Sequence, residues 1–455
     1  MMGKLKTIGV STLALGMLTG LPSFGQDVAT GSDLVSLYKY LHANPELSLK
    51  EANTSALLAK ELEALGFAVT TGLGDDWVRE KAERDQGVVR DGVGGYGVVG
   101  VLENGEGPTL LIRADMDALP VPESTGFEFS SAVTSESWTG VNSPVMHACG
   151  HDIHMTSWVG TARELVEMKD EWSGTLVMIL QPAEEVGLGA KAMLSDGLFE
   201  DFPVPDFNLA LHVNAAMPAG SVGYVPGFAM ANVDSVDIIV KGTGGHGAYP
   251  HTTVDPIVIA SNIVMAVQTL VSRNVDPQKP AVVTVGSFTA GAKHNIIPDQ
   301  VHLKLTVRSY GDDVRDLLLT GIERIANGQA ASYGAPEPDI RIDADYTPAT
   351  YNDPDLSDLV GAAMRSTLGA DSVRELTPVM GGEDFSQYSR TEEDIPSVLF
   401  WVGAVNPETY EKSLTATLPL PSLHSPFFAP EYEKTIETGV KAMTASAMAI
   451  LNKDD

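Results

Sequence analysis

The sequence predicts an α/β protein in which a large mixed sheet flanked by helices is interrupted by a smaller, ferredoxin-like α+β unit. Three observations carry that expectation. Up to about residue 228, short apolar runs end in polar residues and alternate with helix-like stretches, the layout of an open sheet with a site along one edge. From about Ala231 the pattern changes, and two helices and about four antiparallel strands follow up to Asp345. Strand and long-helix patterns then resume, at Val398 and after Glu431, so the small unit sits inside the larger one. The expected division is residues 1–25 as an export signal, 26–228 and 346–455 as the larger domain, and 229–345 as the insertion.

In chain order, Asp33 caps a helix with Leu34, Leu37, Tyr38 and Leu41 on one face, and a second helix runs from Glu51 to Leu65, stopped by Gly66. His42 ends the first helix and reads as structural. A strand near Phe67–Thr70 leads into Asp75–Asp91, which is rich in both charge signs and reads as a surface excursion with a helical turn or two. Tyr96–Leu102 and Thr109–Ala114 are strands, the second running into Asp115-Met116-Asp117. A helix from about Asp152 to Glu167 precedes the strand Gly174–Leu180, which runs into Glu184-Glu185, and the strand Asn208–Val213 carries His212 near its end. In the insertion, Val233–Val240, Ala281–Phe288, Val301–Ser309 and Ile340–Asp345 are strands, with helices over Asp255–Arg273 and Asp312–Ala326.

Lys4 and Lys6, the apolar run Ile8–Leu21 and the small residues before Gln26 read as a cleaved export signal, placing the mature protein in a periplasmic or extracellular space. No later segment reads as long and apolar enough to span a bilayer. The formal charge of −31 argues against nucleic acid or an anionic membrane as partner. A single cysteine excludes an intramolecular disulfide, and a lone thiol in an oxidising compartment is a liability unless something occupies it.

That cysteine lies in His147-Ala148-Cys149-Gly150-His151-Asp152-Ile153-His154, where five potential ligands fall within eight positions. One histidine alone would read as a satisfied core residue; this density points to a metal site for zinc or another late first-row ion. The stretch alone supplies too few ligands for a metal site and leaves open which of the five bind, so partners must come from elsewhere in the chain. Glu184-Glu185 at a strand end is the second strong feature, since adjacent carboxylates repel unless a cation or a proton divides their roles. His212 and His424 are weaker candidates that could converge on the same place.

Taken together, Arg113–Pro120, Met146–His154, Gln181–Glu185, Gly244–Ala248, Asn295–Pro298, Gly382–Phe385 and Leu423–Pro426 resemble the motifs of the co-catalytic metal amidohydrolases. That family includes hippurate hydrolase, N-acyl-amino-acid amidohydrolases, N-acetyldiaminopimelate deacetylase and auxin-conjugate hydrolases, of the aminoacylase and glutamate-carboxypeptidase-like metallopeptidases. The resemblance implies a zinc-exopeptidase-like catalytic domain with an inserted lid or dimerisation domain. It also implies two divalent metal ions, whether Zn, Mn or Co, with Cys149 as the bridging ligand and His151, Glu185, His212 and His424 as terminal ligands. Glu184 matches the general base that activates the bridging water, and Asp117 a supporting carboxylate that orients a histidine ligand. His246 matches an oxyanion-stabilising histidine, often supplied by a neighbouring subunit, while Asn295 and Arg308 match residues that hold a substrate carboxylate.

The implied activity is hydrolysis of the amide bond of N-acyl amino acids. The implied partners are that small molecule or a short peptide and, through the lid, a second copy of the chain. A dipeptidase or carboxypeptidase with the same metal site is the alternative within enzymes, and a catalytically silent binding or scaffold protein is the alternative outside them. Three stretches depart from the family pattern: Asp75–Asp91, Ser130–Asn142 and the segment between Val402 and His424.

Overall fold

The computed structural model describes residues 33–415 and 419–452, so the expected export signal lies outside the described residues. An eight-stranded mixed sheet forms the centre, in the order Ala68–Leu73, Gly97–Asn104, Gly174–Gln181, Thr109–Asp115, Phe207–Pro218, Ser397–Val405, Val222–Tyr224 and Val373–Glu375. The third to sixth of these run parallel to one another. They are close to continuous apolar runs, as expected of strands covered on both faces. One face is covered by helices Leu34–Ala43, Ala52–Ala64, His151–Glu167, Pro354–Leu368 and Tyr432–Leu451, which share a core with Ile112, Met178, Leu209 and Phe400. Because the four strands are parallel, their C-terminal ends open on one edge, where Asp115 pairs with Gln181 and polar residues gather.

Asp234–Lys241, Ala281–Ala290, Gln300–Ser309 and Asp339–Ile342 form a separate antiparallel sheet of four strands. Helices Pro256–Arg273 and Asp312–Ser332 pack on it through a core of their own, including Ile238, Ile263, Leu303 and Ile322. The connectivity is that of a split βαβ sandwich. Both helices begin at capped or acidic starts, Asp255 accepting the Ile257 N–H at 2.9 Å.

Three expectations need correction. Asp75–Gln86 is a helix of 12 residues rather than a turn or two. Val78 and Ala82 pack it on Leu49, Ala183, Leu188 and Ala192, a periodicity that its many charges hide. Pro256–Arg273, with a mean hydropathy of 1.3 over its 18 residues, is long and apolar enough to cross a membrane by length and composition, although its buried side is what closes the small sandwich. His212 lies in the middle of a strand that continues to Pro218 rather than near its end.

Candidate metal centre

The edge described above holds most of the proposed ligands. Gly150, at φ +79°, turns the chain from Cys149 into the helix His151–Glu167. A Cβ there would meet Val213 Cγ2 at 2.6 Å, so both the conformation and the space require glycine. Cys149 is buried, with Sγ 3.6 Å from His212 Nε2. His212 Nδ1 lies 2.7 Å from its own neighbour's carbonyl, Val213 O. That contact places the proton on Nδ1 and leaves the Nε2 lone pair facing the thiol.

His151 sits between two aspartates. Nδ1 is 3.4 Å from Asp117 Oδ1 and Nε2 is 3.6 Å from Asp115 Oδ2, while Glu184 and Glu185 each approach Nε2 at 3.8 Å. Burial pulls its pKa down, but Asp115, Asp117 and Glu185 outweigh it and hold it at about 10. His154, by contrast, is wedged between Asp115 Oδ1 at 2.6 Å and the Val213 N–H at 2.9 Å. It therefore donates from Nδ1 and accepts at Nε2, and burial lowers it to about 3.

The turn carrying Glu184 and Glu185 is held by backbone. Their N–H groups, each at 3.1 Å, donate to the two oxygens of Asp117, and the Ser48 hydroxyl caps Asp117 Oδ2 at 2.6 Å. Burial pushes the Glu185 carboxyl up to about 8. Burial, then the charges of Glu383 and Glu185, hold the Glu184 carboxyl well above its ordinary range. His424 comes from a loop in the left-handed region at φ +63°. Its N–H is anchored on Ala148 O at 2.9 Å, and its Nε2 is 3.5 Å from Glu185 Oε2.

Five donor groups result among the described residues, and two of them contain the thiol, Cys149 with His151 and His212, and Cys149 with Glu185 and His424, the donor atoms within each lying inside 4.8 Å of one another. Neither nitrogen of His151 completes a hydrogen bond within the chain, nor does Glu185 Oε1, although all three are buried. Orphaned buried polar atoms are costly. Here they converge with a thiol, imidazoles and carboxylates, a donor set that divalent late first-row ions satisfy. The residues present therefore fit metal ions, and Cys149 is the member common to both groups.

A cavity of about 1030 Å³ opens from this edge, lined by Cys149, Glu184, Glu185, His212, His424 and Arg308 among others. His246 and Asn295 are not among the lining residues. They are adjacent on the small sandwich, where the Gly247 N–H donates to Asn295 O at 2.9 Å, and His246 is exposed. Asp117 is buried beneath the turn rather than lining the cavity. Of the three stretches that depart from the family pattern, the one before His424 lines the cavity, through Ser413, Pro419 and Leu420.

Sequence reasoning missed the ion network under the site. Arg113, fully buried, donates to Asp115 and Glu383 at 2.7 Å each, to Asp384 at 3.2 Å and to Gln181 at 3.0 Å. An arginine inside the apolar run Leu110–Ala114 was the available signal. His42, read from the sequence as structural, has two carboxylate partners, Asp152 at 2.7 Å and Glu123 at 3.0 Å. Their hydrogen bonds outweigh its burial and raise it to about 9.

A family model described as peptidase family M20/M25/M40 matches residues 111–448. Thermostable carboxypeptidase 2 of Saccharolobus solfataricus is 36% identical over 376 residues, 82% of this chain and 86% of that protein. N-acetylcysteine deacetylase of Bacillus subtilis is 33% identical over 385 residues, 84% of this chain and 91% of that one. Among solved structures, the Bacillus subtilis YXEP protein, described as a dinuclear metal binding peptidase, superposes with a TM-score of 0.67 at 27% identity, covering 94% of this chain and 99% of that one. The chain therefore belongs to the peptidase family M20/M25/M40, as a metal-dependent hydrolase of amide bonds.

Proposed function

We propose that the substrate is an N-acyl amino acid with a bulky apolar acyl group. The observation that carries this reading is the make-up of the cavity. Among the described lining residues, Arg308 supplies the only guanidinium or ammonium, and Leu376, Val379, Trp401, Leu420 and Leu423 supply an apolar wall. Arg308 is half-buried, and burial alone shifts its pKa, downward. Its Nη1 is held on Met380 O at 3.2 Å. A guanidinium in such a place suits a substrate carboxylate, and the apolar wall suits an acyl group larger than acetyl.

Two divalent ions, of zinc, manganese or cobalt, would be held by Cys149, His151, Glu185, His212 and His424, with Cys149 shared. When bound, such ions lower the pKa of water and polarise the scissile carbonyl. Glu184 then takes a proton from the attacking water and returns it to the leaving amine. Asp117 keeps His151 and the Glu184-Glu185 turn in register. The test is a panel of N-acetyl, N-benzoyl, N-long-chain-acyl and dipeptide substrates on metal-analysed protein. Benzoyl or longer acyl groups are expected to give the highest kcat/KM. A preference for acetyl or for dipeptides would overturn the reading.

The same proposal includes a homodimer through the small sandwich. His246 is exposed and outside the cavity, strand Ala281–Ala290 is an edge strand, and Met265 on the neighbouring helix is 72% exposed. A second copy covering this face could bring His246 to its partner's cavity to stabilise the oxyanion. Light scattering is expected to give twice the chain mass; a fully active monomer would refute the arrangement.

A further inference from the structure

Two of the four non-glycine residues with positive φ among the described residues, Leu49 at +66° and Ala183 at +55°, come together under the site. They are far apart in the chain and share a single partner. Glu51 Oε1 accepts the Leu49 N–H at 2.9 Å and the Ala183 N–H at 2.9 Å. Glu51 is wholly buried, and its Oε2 has no hydrogen-bond partner.

The position of Ala183 gives this contact its weight. Asp117 receives the N–H groups of Glu184 and Glu185. With Glu51 added, three consecutive N–H groups, from residues 183 to 185, are each fixed by a buried carboxyl group. A left-handed alanine is sparsely populated and persists only where its surroundings over-determine it. The same corner is backed by the helix Asp75–Gln86, whose Val78 and Ala82 pack on Leu49 and Ala183.

We infer that Glu51 is a positioning residue: by holding Leu49 and Ala183 on one oxygen it sets the turn that aims Glu184 at the substrate and Glu185 at the metal ions. The inference rests on the roles assigned above to Glu184 and Glu185. Burial, with the Asp117 charge after it, holds the Glu51 carboxyl well above the ordinary range. Glutamine keeps an acceptor oxygen at the same reach for the two N–H groups, and alanine does not.

The experiment compares Glu51→Ala, Glu51→Gln and Glu51→Asp with wild type and Glu184→Gln, measuring kcat, KM and the chelator concentration that strips the metal. For Glu51→Ala, kcat is expected to fall and metal to be held less tightly, each by about 10- to 100-fold. KM should stay near wild type, because Arg308 and the apolar wall stand on other elements. Glu51→Gln should recover both properties, and Glu51→Asp, whose acceptor is withdrawn by one methylene, should fall between. A Glu51→Ala protein with wild-type kcat and metal retention would overturn the inference, as would a Glu51→Gln protein as impaired as the alanine variant. Should the alanine variant fail to fold, the pair Gln and Asp decides: near-normal Gln with impaired Asp supports the role, and equal impairment removes it. An active Glu184→Gln would instead discredit the assignment of the base and leave the behaviour of the Glu51 series as a separate result.

Discussion

Glu184→Gln is expected to lower kcat by about 10²- to 10⁴-fold, the range associated with removing a positioned general base, while metal content and KM stay close to wild type. The substitution is nearly isosteric and leaves the turn intact, because the N–H of residue 184 still meets Asp117. The ligands proposed above do not include the side chain at 184, so metal should remain. What disappears is a carboxylate able to take a proton and give it back. Burial and the charges of Glu383 and Glu185 already move that carboxyl upward, in the direction such a two-way group needs. Elemental analysis beside steady-state kinetics makes the measurement. Wild-type turnover in the Gln variant would remove Glu184 from the mechanism; loss of metal together with activity would recast it as a ligand.

How much of this could be read in the sequence depends on how local the signal is. The Cys149–His154 stretch and the Glu184-Glu185 pair announce themselves because chemistry is concentrated within a few positions. The inserted sandwich is legible for a similar reason, since strict alternation over Asp234–Lys241 and Gln300–Ser309 is a property of each strand alone. His212 and His424 are not local in this sense. They meet Cys149 and Glu185 only in the folded chain, His212 from the middle of a strand and His424 from a loop, and resemblance rather than spacing identified them. The packing helix Asp75–Gln86 was obscured because Val78 and Ala82 are its only buried apolar residues among a dozen mostly charged ones. Glu51 was not legible at all. Its neighbours in sequence suggest an ordinary helix start, and its function depends on where the turn at Ala183 lies in space.

Arg113→Met is expected to destabilise the protein by about 3–5 kcal/mol, the typical cost of removing one partner from a buried ion pair. Arg113 has no exposed side-chain surface, and neither do Asp115, Glu383 and Asp384 around it. Methionine fills much of the volume but leaves these acidic groups without their cation. Asp384 can shed the problem by holding a proton, since burial already lifts it to about 7. Asp115 is different: it is held well below the ordinary range against its burial, first by Arg113 and then by His151 and His154. Losing Arg113 should therefore unsettle Asp115, and with it His154 and His151, so weaker metal retention should accompany the lower stability. Arg113→Lys should recover only part of the loss, because one ammonium cannot reproduce the fork of a guanidinium that serves Asp115 and Glu383 through separate nitrogens. Urea unfolding of the metal-loaded and chelator-treated proteins separates the two contributions. A methionine variant as stable as wild type in both forms would mean that the cluster tolerates its buried charges by some means other than Arg113.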